Sequence, residues 1–169
     1  MRILFLLILA YVPMLIEARR AARNERAQLA RGGVEAAGDV YGLMRVAYPG
    51  AFLLMIVESA LRGMPPRPIL DLGIALFVAA KALKWWAILS LGRSWTFRVI
   101  TVPGAPLVTG GPYRFVRHPN YIAVAGELAG FALMAGALLT GPIATILFAL
   151  LMLKRTAVEE HALGLPRNP

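Results

Sequence analysis

The sequence contains no cysteine and is poor in acidic residues and histidine. The missing thiols exclude disulfides, zinc sites with cysteine ligands and thiol nucleophiles. Nine Asp and Glu against eighteen Lys and Arg give a net charge of +9, and only 16% of the residues are charged. Soluble domains are usually about 25% charged. Because 59% of the residues are hydrophobic, the composition excludes a disordered chain and argues against a soluble globular domain.

Four apolar segments are candidates for membrane-crossing helices. Residues 3–16, 46–61 and 69–91 are mostly apolar, and residues 119–153 contain Glu127 as their only charge. As one helix, the last segment would be about 52 Å long, which exceeds the thickness of the hydrocarbon layer. Its Gly-Pro pair predicts a turn. The sequence therefore predicts a single all-α integral membrane domain over residues 1–169, with five transmembrane helices and a C-terminal helical hairpin: about 2–18, 42–61, 69–91, 119–139 and 142–160.

The placement of the basic residues predicts the orientation. Arginine and lysine number six in residues 17–45, four in residues 92–118 and three in residues 154–167, all on one side of the predicted topology. By the positive-inside rule, we expect a multi-pass protein of the cytoplasmic membrane with its N-terminus outside and its C-terminus and active site facing the cytoplasm. The same charges attract membrane lipids, so no nucleic-acid partner is required. A cleaved signal peptide at residues 3–16 is disfavoured, because no small-residue cleavage site follows.

Residues 17–31 are rich in arginine and in good helix formers, and the Gly-Gly pair that follows is typical of a helix end. Two interpretations remain open at this point. The segment is either a helix that lies on anionic lipid headgroups or a roof over a site that faces the cytoplasm.

The loop before the fourth predicted helix is long and rich in proline and glycine. A simple connection needs only a few residues, so we expect this loop to have a functional shape. Arg114 and Arg117 offer planar forks for a carboxylate or phosphate. His118 can donate or accept a hydrogen bond, and Tyr113 and Tyr121 offer aromatic faces. Each residue alone has an ordinary structural explanation, but together they suit an amphipathic ligand with a carboxylate and a flat ring.

The paired acids Glu159 and Glu160 lie at the cytoplasmic end of the fifth predicted helix. They have two interpretations. They form ordinary helix-end ion pairs with Lys154 and Arg155, or one of them binds ribose hydroxyls or an ammonium group.

Glu127 lies about two turns inside the fourth predicted helix. An ionisable group at that depth costs about 2–3 kcal/mol or more unless it is paired or near water. We expect Glu127 to be either a functional carboxylate, which shares a helix face with Asn120, or the partner of Lys81 or Lys84. Glu58 is a weaker candidate of the same kind.

Two short motifs carry a resemblance to a known family. GPYR at residues 111–114 is followed by RHPNY at residues 117–121, and both precede the predicted hairpin and the paired acids. This arrangement resembles the isoprenylcysteine carboxyl methyltransferase family, whose members are integral membrane enzymes that use S-adenosylmethionine. Residues 23–35 and 91–104, together with Glu127, are similar to a bacterial subgroup, the YpbQ-like membrane methyltransferases.

The resemblance implies that the cofactor is S-adenosylmethionine, which is converted to S-adenosylhomocysteine, and that no metal takes part. It implies a cofactor site formed by residues 92–121 together with residues 154–162. The cofactor-binding residues that it implies are Leu107, Val108, Gly111, Tyr113, Arg114, Arg117, His118, Pro119, Tyr121, Glu159 and Glu160.

The subgroup implies methyl transfer to the hydroxyl oxygen of a lipophilic acceptor, an alkylpyrone or alkylresorcinol-type polyketide. A phenol or enol acceptor must lose its proton, and Glu127 is our hypothesis for the base. The catalytic candidates are Glu127, Asn120 and His118, and the substrate-binding candidates are Trp95, Arg98 and Trp86. The alternatives are carboxyl methylation of a prenylcysteine, methylation of another lipid, and a non-enzymatic role as a small transporter or accessory subunit.

Overall fold

The computed structural model describes residues 1–164, and five α-helices make up most of it. Two strands of two residues each pair in an antiparallel sheet, with Val34 opposite Thr101. The all-α prediction is therefore confirmed in outline, although this small sheet was not expected. The elements are α1 (Arg2–Leu29), β1 (Val34–Glu35), α2 (Tyr41–Arg62), α3 (Arg67–Leu91), β2 (Ile100–Thr101), α4 (Pro119–Ala135) and α5 (Thr140–Ala162), with short 3-10 turns at Gly92–Ser94 and Gly111–Arg114.

Three helical segments are long and apolar enough to cross a membrane: Tyr41–Arg62, Arg67–Ser94 and Thr140–Ala162. Many of their large apolar side chains are exposed, which a soluble protein avoids over so large an area. The molecule is therefore a membrane protein. Membrane crossing by α1 and α4, and the orientation of the termini, remain predictions. Arg167, which contributes to the predicted charge asymmetry, lies outside the described residues.

Helix α1 joins two segments that the sequence treats separately. It runs without interruption for 28 residues, so the predicted apolar span and the arginine-rich segment form one helix. Its polar half packs on the turn after α3, where Asn24 donates hydrogen bonds to the carbonyls of Gly92 (3.0 Å) and Trp95 (2.7 Å). This half therefore packs against the loop that carries the candidate site residues.

The C-terminal hairpin turns earlier than the sequence predicts. Helix α4 ends at Ala135 because Gly136 adopts the left-handed conformation, with φ 69°, which glycine tolerates best. Helix α5 then begins at Thr140, where Glu58 of α2 accepts hydrogen bonds from the Thr140 amide (2.8 Å) and hydroxyl (2.6 Å). Glu58 therefore supplies the helix cap that the sequence around Thr140 does not provide.

Helices α3 and α4 approach each other closely through glycine. A Cβ atom on Gly73 would lie 2.5 Å from the backbone nitrogen of Met134, and one on Gly130 would lie 2.5 Å from that of Phe77. Phe131 packs beside this contact, with its ring centroid 4.7 Å from that of Phe52. Close packing of this kind fixes the position of α3 side chains relative to α4 side chains.

Candidate functional site

The start of α4 and the end of α5 meet in a group of polar side chains that we call the His118 cluster: Arg117, His118, Tyr121, Glu159 and Glu160. His118 Nε2 lies 3.2 Å from Glu160 Oε1, and His118 Nδ1 lies 3.7 Å from Glu159 Oε2. The Tyr121 hydroxyl donates a hydrogen bond to Glu159. Arg117 lies 3.6 Å from Glu160. The structure thus brings together residues that lie about forty positions apart in the sequence.

The backbone conformation around residues 111–119 positions His118 and its neighbours at the start of α4. Pro119 occupies the first turn of α4, where its missing amide hydrogen costs no hydrogen bond. The His118 and Tyr121 rings stack with centroids 5.3 Å apart and an angle of 8° between their planes. Gly111 has φ 61°, and a Cβ atom there would lie 2.0 Å from Ser90 Oγ. Only glycine therefore fits where the loop crosses the end of α3.

The loop residues around the cluster differ in exposure. Burial, and secondly the negative charge of Glu159, raises the pKa of Tyr113, so its phenol stays protonated and can donate a hydrogen bond. Asn120 has a buried side-chain oxygen without a hydrogen-bond partner among the described residues. Arg114 lies over the exposed Phe115 ring, 4.4 Å from its centroid, and Leu107 is half exposed.

Arg155 is a residue of this region that the sequence interpretation missed. Instead of pairing with the acids one turn further along α5, it lies 3.4 Å from Asp39 and 3.1 Å from the Tyr121 hydroxyl. It also donates a hydrogen bond to the carbonyl of Phe97. Arg155 is therefore not the helix-end partner of Glu159 or Glu160 that one of the two interpretations includes, and the binding of ribose hydroxyls or an ammonium group stays a prediction. Its place shortly before the paired acids in the sequence suggested a local pair, and nothing in the sequence pointed to the distant partners.

A second polar group lies among the helices, and we call it the buried charge cluster: Glu17, Lys81, Lys84, Glu127 and Tyr48. Lys84 Nζ lies 2.7 Å from Glu17 Oε2 and 3.2 Å from Glu127 Oε2. Lys81 Nζ lies 3.2 Å from Glu17 Oε1 and 3.1 Å from Glu127 Oε1. The Tyr48 hydroxyl donates to Glu127. Two positive and two negative charges thus balance inside the helix bundle.

This arrangement bears on the two interpretations of Glu127. Glu127 is fully buried, and each of its carboxylate oxygens faces a lysine ammonium group. The predicted pairing of Glu127 with Lys81 or Lys84 is thus present in the structure, with both lysines. The role of Glu127 as a base remains a prediction. Glu17 and Tyr48 were not predicted as members of the group, because Glu17 directly follows one apolar segment and Tyr48 lies within another, with no local motif at either position.

The three substrate-binding candidates lie in different surroundings. Trp95 is only 3% exposed and packs in a small core with Ala21 and Ile88. Arg98 pairs with Glu35 at 2.9 Å. Trp86 is 48% exposed, and its ring lies 6.5 Å from that of the exposed Phe115. Trp86 is therefore open to an apolar ligand, whereas the Trp95 ring has a structural role in the loop core.

Within residues 1–164 no group of three or more His, Asp or Glu side chains is arranged to hold a metal ion. The ionisable groups of the His118 cluster are two carboxylates, an imidazole and a guanidinium, accompanied by aromatic rings. Such groups can bind an organic ligand that carries hydroxyl or ammonium donors, a carboxylate and a flat ring.

Comparisons with known proteins agree with this chemistry. The sequence model of the isoprenylcysteine carboxyl methyltransferase (ICMT) family matches residues 73–164. The chain is 32% identical over 144 residues to the uncharacterized protein YpbQ of Bacillus subtilis, which covers 85% of each chain. It is 25% identical over 143 residues to an uncharacterized protein of Haemophilus influenzae, which covers 84% of this chain and 83% of the relative. No solved structure gives a significant match.

Proposed function

The chain belongs to the isoprenylcysteine carboxyl methyltransferase family, and from this we propose that it is a membrane enzyme that transfers a methyl group from S-adenosylmethionine to an oxygen atom of a lipophilic acceptor. The observation that carries the proposal is the convergence of Arg117, His118 and Tyr121 with the paired acids of α5. Membership of the family supports methyl transfer as the reaction, and the His118 cluster supports this region as the binding site of the cofactor.

The residues of the His118 cluster fit the chemical groups of this cofactor. The carboxylate of Glu159 suits ribose hydroxyls or an ammonium group, and the guanidinium of Arg117 suits a carboxylate. The stacked rings of His118 and Tyr121 offer a flat face to an adenine ring. The unpartnered oxygen of Asn120 is an acceptor that a ligand N–H or O–H group would satisfy.

The cofactor supplies, when bound, a methyl group already activated on a sulfonium sulfur. The protein then has to position the acceptor oxygen in line and to exclude water. Tyr113 would orient the ligand through its protonated hydroxyl, and Arg155 would hold the Tyr121 hydroxyl in place through its hydrogen bond. Transfer would break the carbon–sulfur bond as the carbon–oxygen bond forms, and the acceptor oxygen would give up its proton to a group of the protein.

We favour His118 over Glu127 as the group that receives this proton. Both Glu127 oxygens already face lysine ammonium groups, and the side chain is fully buried. The His118 side chain is 18% exposed, so it can pass a proton on to water. Imidazole is the side chain best suited to proton transfer near neutral pH.

For the acceptor, we propose the hydroxyl of an alkylpyrone or alkylresorcinol-type polyketide. Phe115 and Ile122 are close in sequence to Arg117 and Tyr121 of the cluster, and the Trp86 ring lies beside that of Phe115. The exposed apolar side chains of these three residues suit a hydrocarbon chain in the membrane. The alternatives are the carboxylate of a prenylcysteine and another lipid.

The test uses membranes that contain the full chain, methyl-labelled S-adenosylmethionine and a panel of alkylpyrones, alkylresorcinols, prenylcysteines and phospholipids. We expect label in the alkylpyrones or alkylresorcinols. Glu159→Gln should reduce the rate at least about tenfold if one charge-assisted hydrogen bond to the ligand is lost. The matched control Asp71→Asn, which removes one acidic charge from an exposed position near the start of α3, should leave the rate unchanged.

If only prenylcysteine takes up label, the proposed acceptor is wrong, but the proposed methyltransferase activity stands. Failure of every lipid to take up label would contradict the enzyme itself.

A further inference from the structure

A second candidate binding site lies on the polar half of α1, away from the His118 cluster. A cleft of about 420 Å³ is lined by Arg23, Asn24 and Ala27 of α1 and by Arg93 of the turn after α3. Two exposed arginines therefore border a space large enough for a phosphate.

Four hydrogen bonds join the two walls of the cleft and fix them relative to each other. Asn24 donates to the carbonyls of Gly92 and Trp95. Gln28, one turn further along α1, donates to the carbonyls of Arg93 (3.2 Å) and Ser94 (3.1 Å). Asn24 and Gln28 are both buried. Because the two walls are fixed, a ligand would not have to order them, and a preformed site binds more tightly for that reason.

The charge of the cleft is positive and uncompensated. No ion pair joins Arg23 or Arg93 to any acid within the described residues 1–164, and no acidic side chain lines the cleft. Glu25, the acid nearest to Arg23 in the sequence, is turned to Arg98, whose guanidinium lies 4.0 Å away. Two forked guanidinium groups without partners suit a phosphate, which each can bind with two hydrogen bonds.

The position of the cleft along the helices corresponds to the level of lipid headgroups. Arg93 follows the end of α3 by two residues, and α3 forms most of a candidate membrane span. Arg23 follows the apolar run of α1 by seven residues, which is about 10 Å of helix. Both side chains therefore lie just beyond the apolar parts of their helices.

We propose that this cleft binds the phosphate group of an anionic phospholipid from the leaflet at this end of the molecule. The bound phosphate would join α1 to the turn after α3. That turn leads to Phe97, whose carbonyl is held by Arg155 and so is linked to Tyr121 of the His118 cluster. Binding at the cleft thus reinforces the packing of the loop beside the proposed active site.

The experiment measures lipid binding to the purified full chain in detergent by native mass spectrometry, with no dependence on methyl transfer. Phosphatidylglycerol and phosphatidylcholine are titrated against the wild type, the double variant Arg23→Gln/Arg93→Gln and the matched control Arg26→Gln/Arg31→Gln. The control removes the same charge from exposed arginines outside the cleft. Unfolding temperatures within a few degrees of the wild type establish that each variant is folded.

We expect the wild type to prefer phosphatidylglycerol, the cleft variant to bind it at least about tenfold more weakly, and the control to differ by less than about threefold. Equal loss in the two variants would overturn the proposal, because general attraction to the arginine-rich segment would then explain the binding. Inorganic phosphate is titrated as a further probe. Phosphate that binds as tightly as the lipid would overturn the assignment to a phospholipid.

Discussion

Charged side chains inside the helix bundle differ in their surroundings and in their role from those at its end. Glu127 and Glu159 are both carboxylates on neighbouring helices, yet Glu127 is enclosed by ammonium groups whereas the Glu159 side chain is 32% exposed beside an imidazole and a phenol. A buried, fully paired carboxylate contributes mainly to how the helices fit together. A partly exposed one can exchange its protein partners for a ligand.

The buried charge cluster predicts an unusual pattern of stability. Glu127→Gln leaves two ammonium groups with one carboxylate, and an uncompensated buried charge costs about 3–5 kcal/mol. The double variant Glu127→Gln/Lys81→Gln restores neutrality, because Glu17 and Lys84 remain paired at 2.7 Å. We expect the single variant to unfold far more easily than the wild type and the double variant to regain most of that loss, as measured by unfolding in detergent.

The same pair of variants separates stability from chemistry. Because we propose His118 as the proton acceptor, the folded double variant should retain its methylation rate per folded molecule. A stable double variant that methylates nothing would instead support Glu127 as the base.

At the residue scale, the sequence is informative where a motif is local. The RHPNY motif brings His118 and Tyr121 to one helix start, so their proximity could be predicted. Arg155 could not, because its partners Asp39, Phe97 and Tyr121 come from three distant segments. Contacts of that kind depend on how the helices pack, which a single sequence does not state.

At the scale of elements, the close contact of α3 with α4 positions Lys81 and Lys84 against Glu127 in the buried charge cluster. Gly73 and Gly130 allow the two backbones to approach, and a methyl group at either position would meet backbone atoms at 2.5 Å. Gly50 of α2 offers a contrast, since a Cβ atom there would meet nothing within 4 Å.

We therefore expect Gly73→Ala and Gly130→Ala to destabilise the protein by about 1–3 kcal/mol each, since backbone cannot move aside as a side chain can. Gly50→Ala, in an open part of a helix, should be neutral or stabilising by up to about 1 kcal/mol. Thermal unfolding of the three variants in one detergent provides the comparison. Equal stability of all three would contradict the described contact of α3 with α4.

The boundaries of elements were predictable to within a few residues, and the exceptions have physical causes. The predicted turn between α4 and α5 is present, but it lies at residues 136–139, where the left-handed Gly136 ends α4. The Gly-Pro pair to which the prediction assigned the turn lies instead in the first turn of α5. The continuity of α1 was missed because a change from apolar to charged residues is not itself a helix end. Nor does the pattern of two-residue strands differ from that of loops, so the pairing of β1 with β2 was not foreseen.

At the scale of the whole molecule, the polar groups of the two proposed binding sites lie at helix ends and in the loop between α3 and α4. The His118 cluster, the Arg155 contacts and the arginine cleft all involve helix ends or the loop between α3 and α4. Such an arrangement allows a water-soluble cofactor to bind from the aqueous side while a lipophilic acceptor reaches the site from the membrane. Composition alone predicted the membrane environment, whereas the cofactor rests on the family and on the cluster.

The most direct test of the account is the binding of S-adenosylmethionine to the purified full chain, measured by isothermal titration calorimetry without any acceptor. We predict saturable binding to the wild type and binding weakened at least about tenfold in Arg117→Ala through loss of a charge-assisted contact. Binding should be unchanged in the matched control Arg31→Ala, which changes an exposed arginine outside the proposed site. Absence of binding to the folded wild type, or equal affinities in all three proteins, would contradict the account.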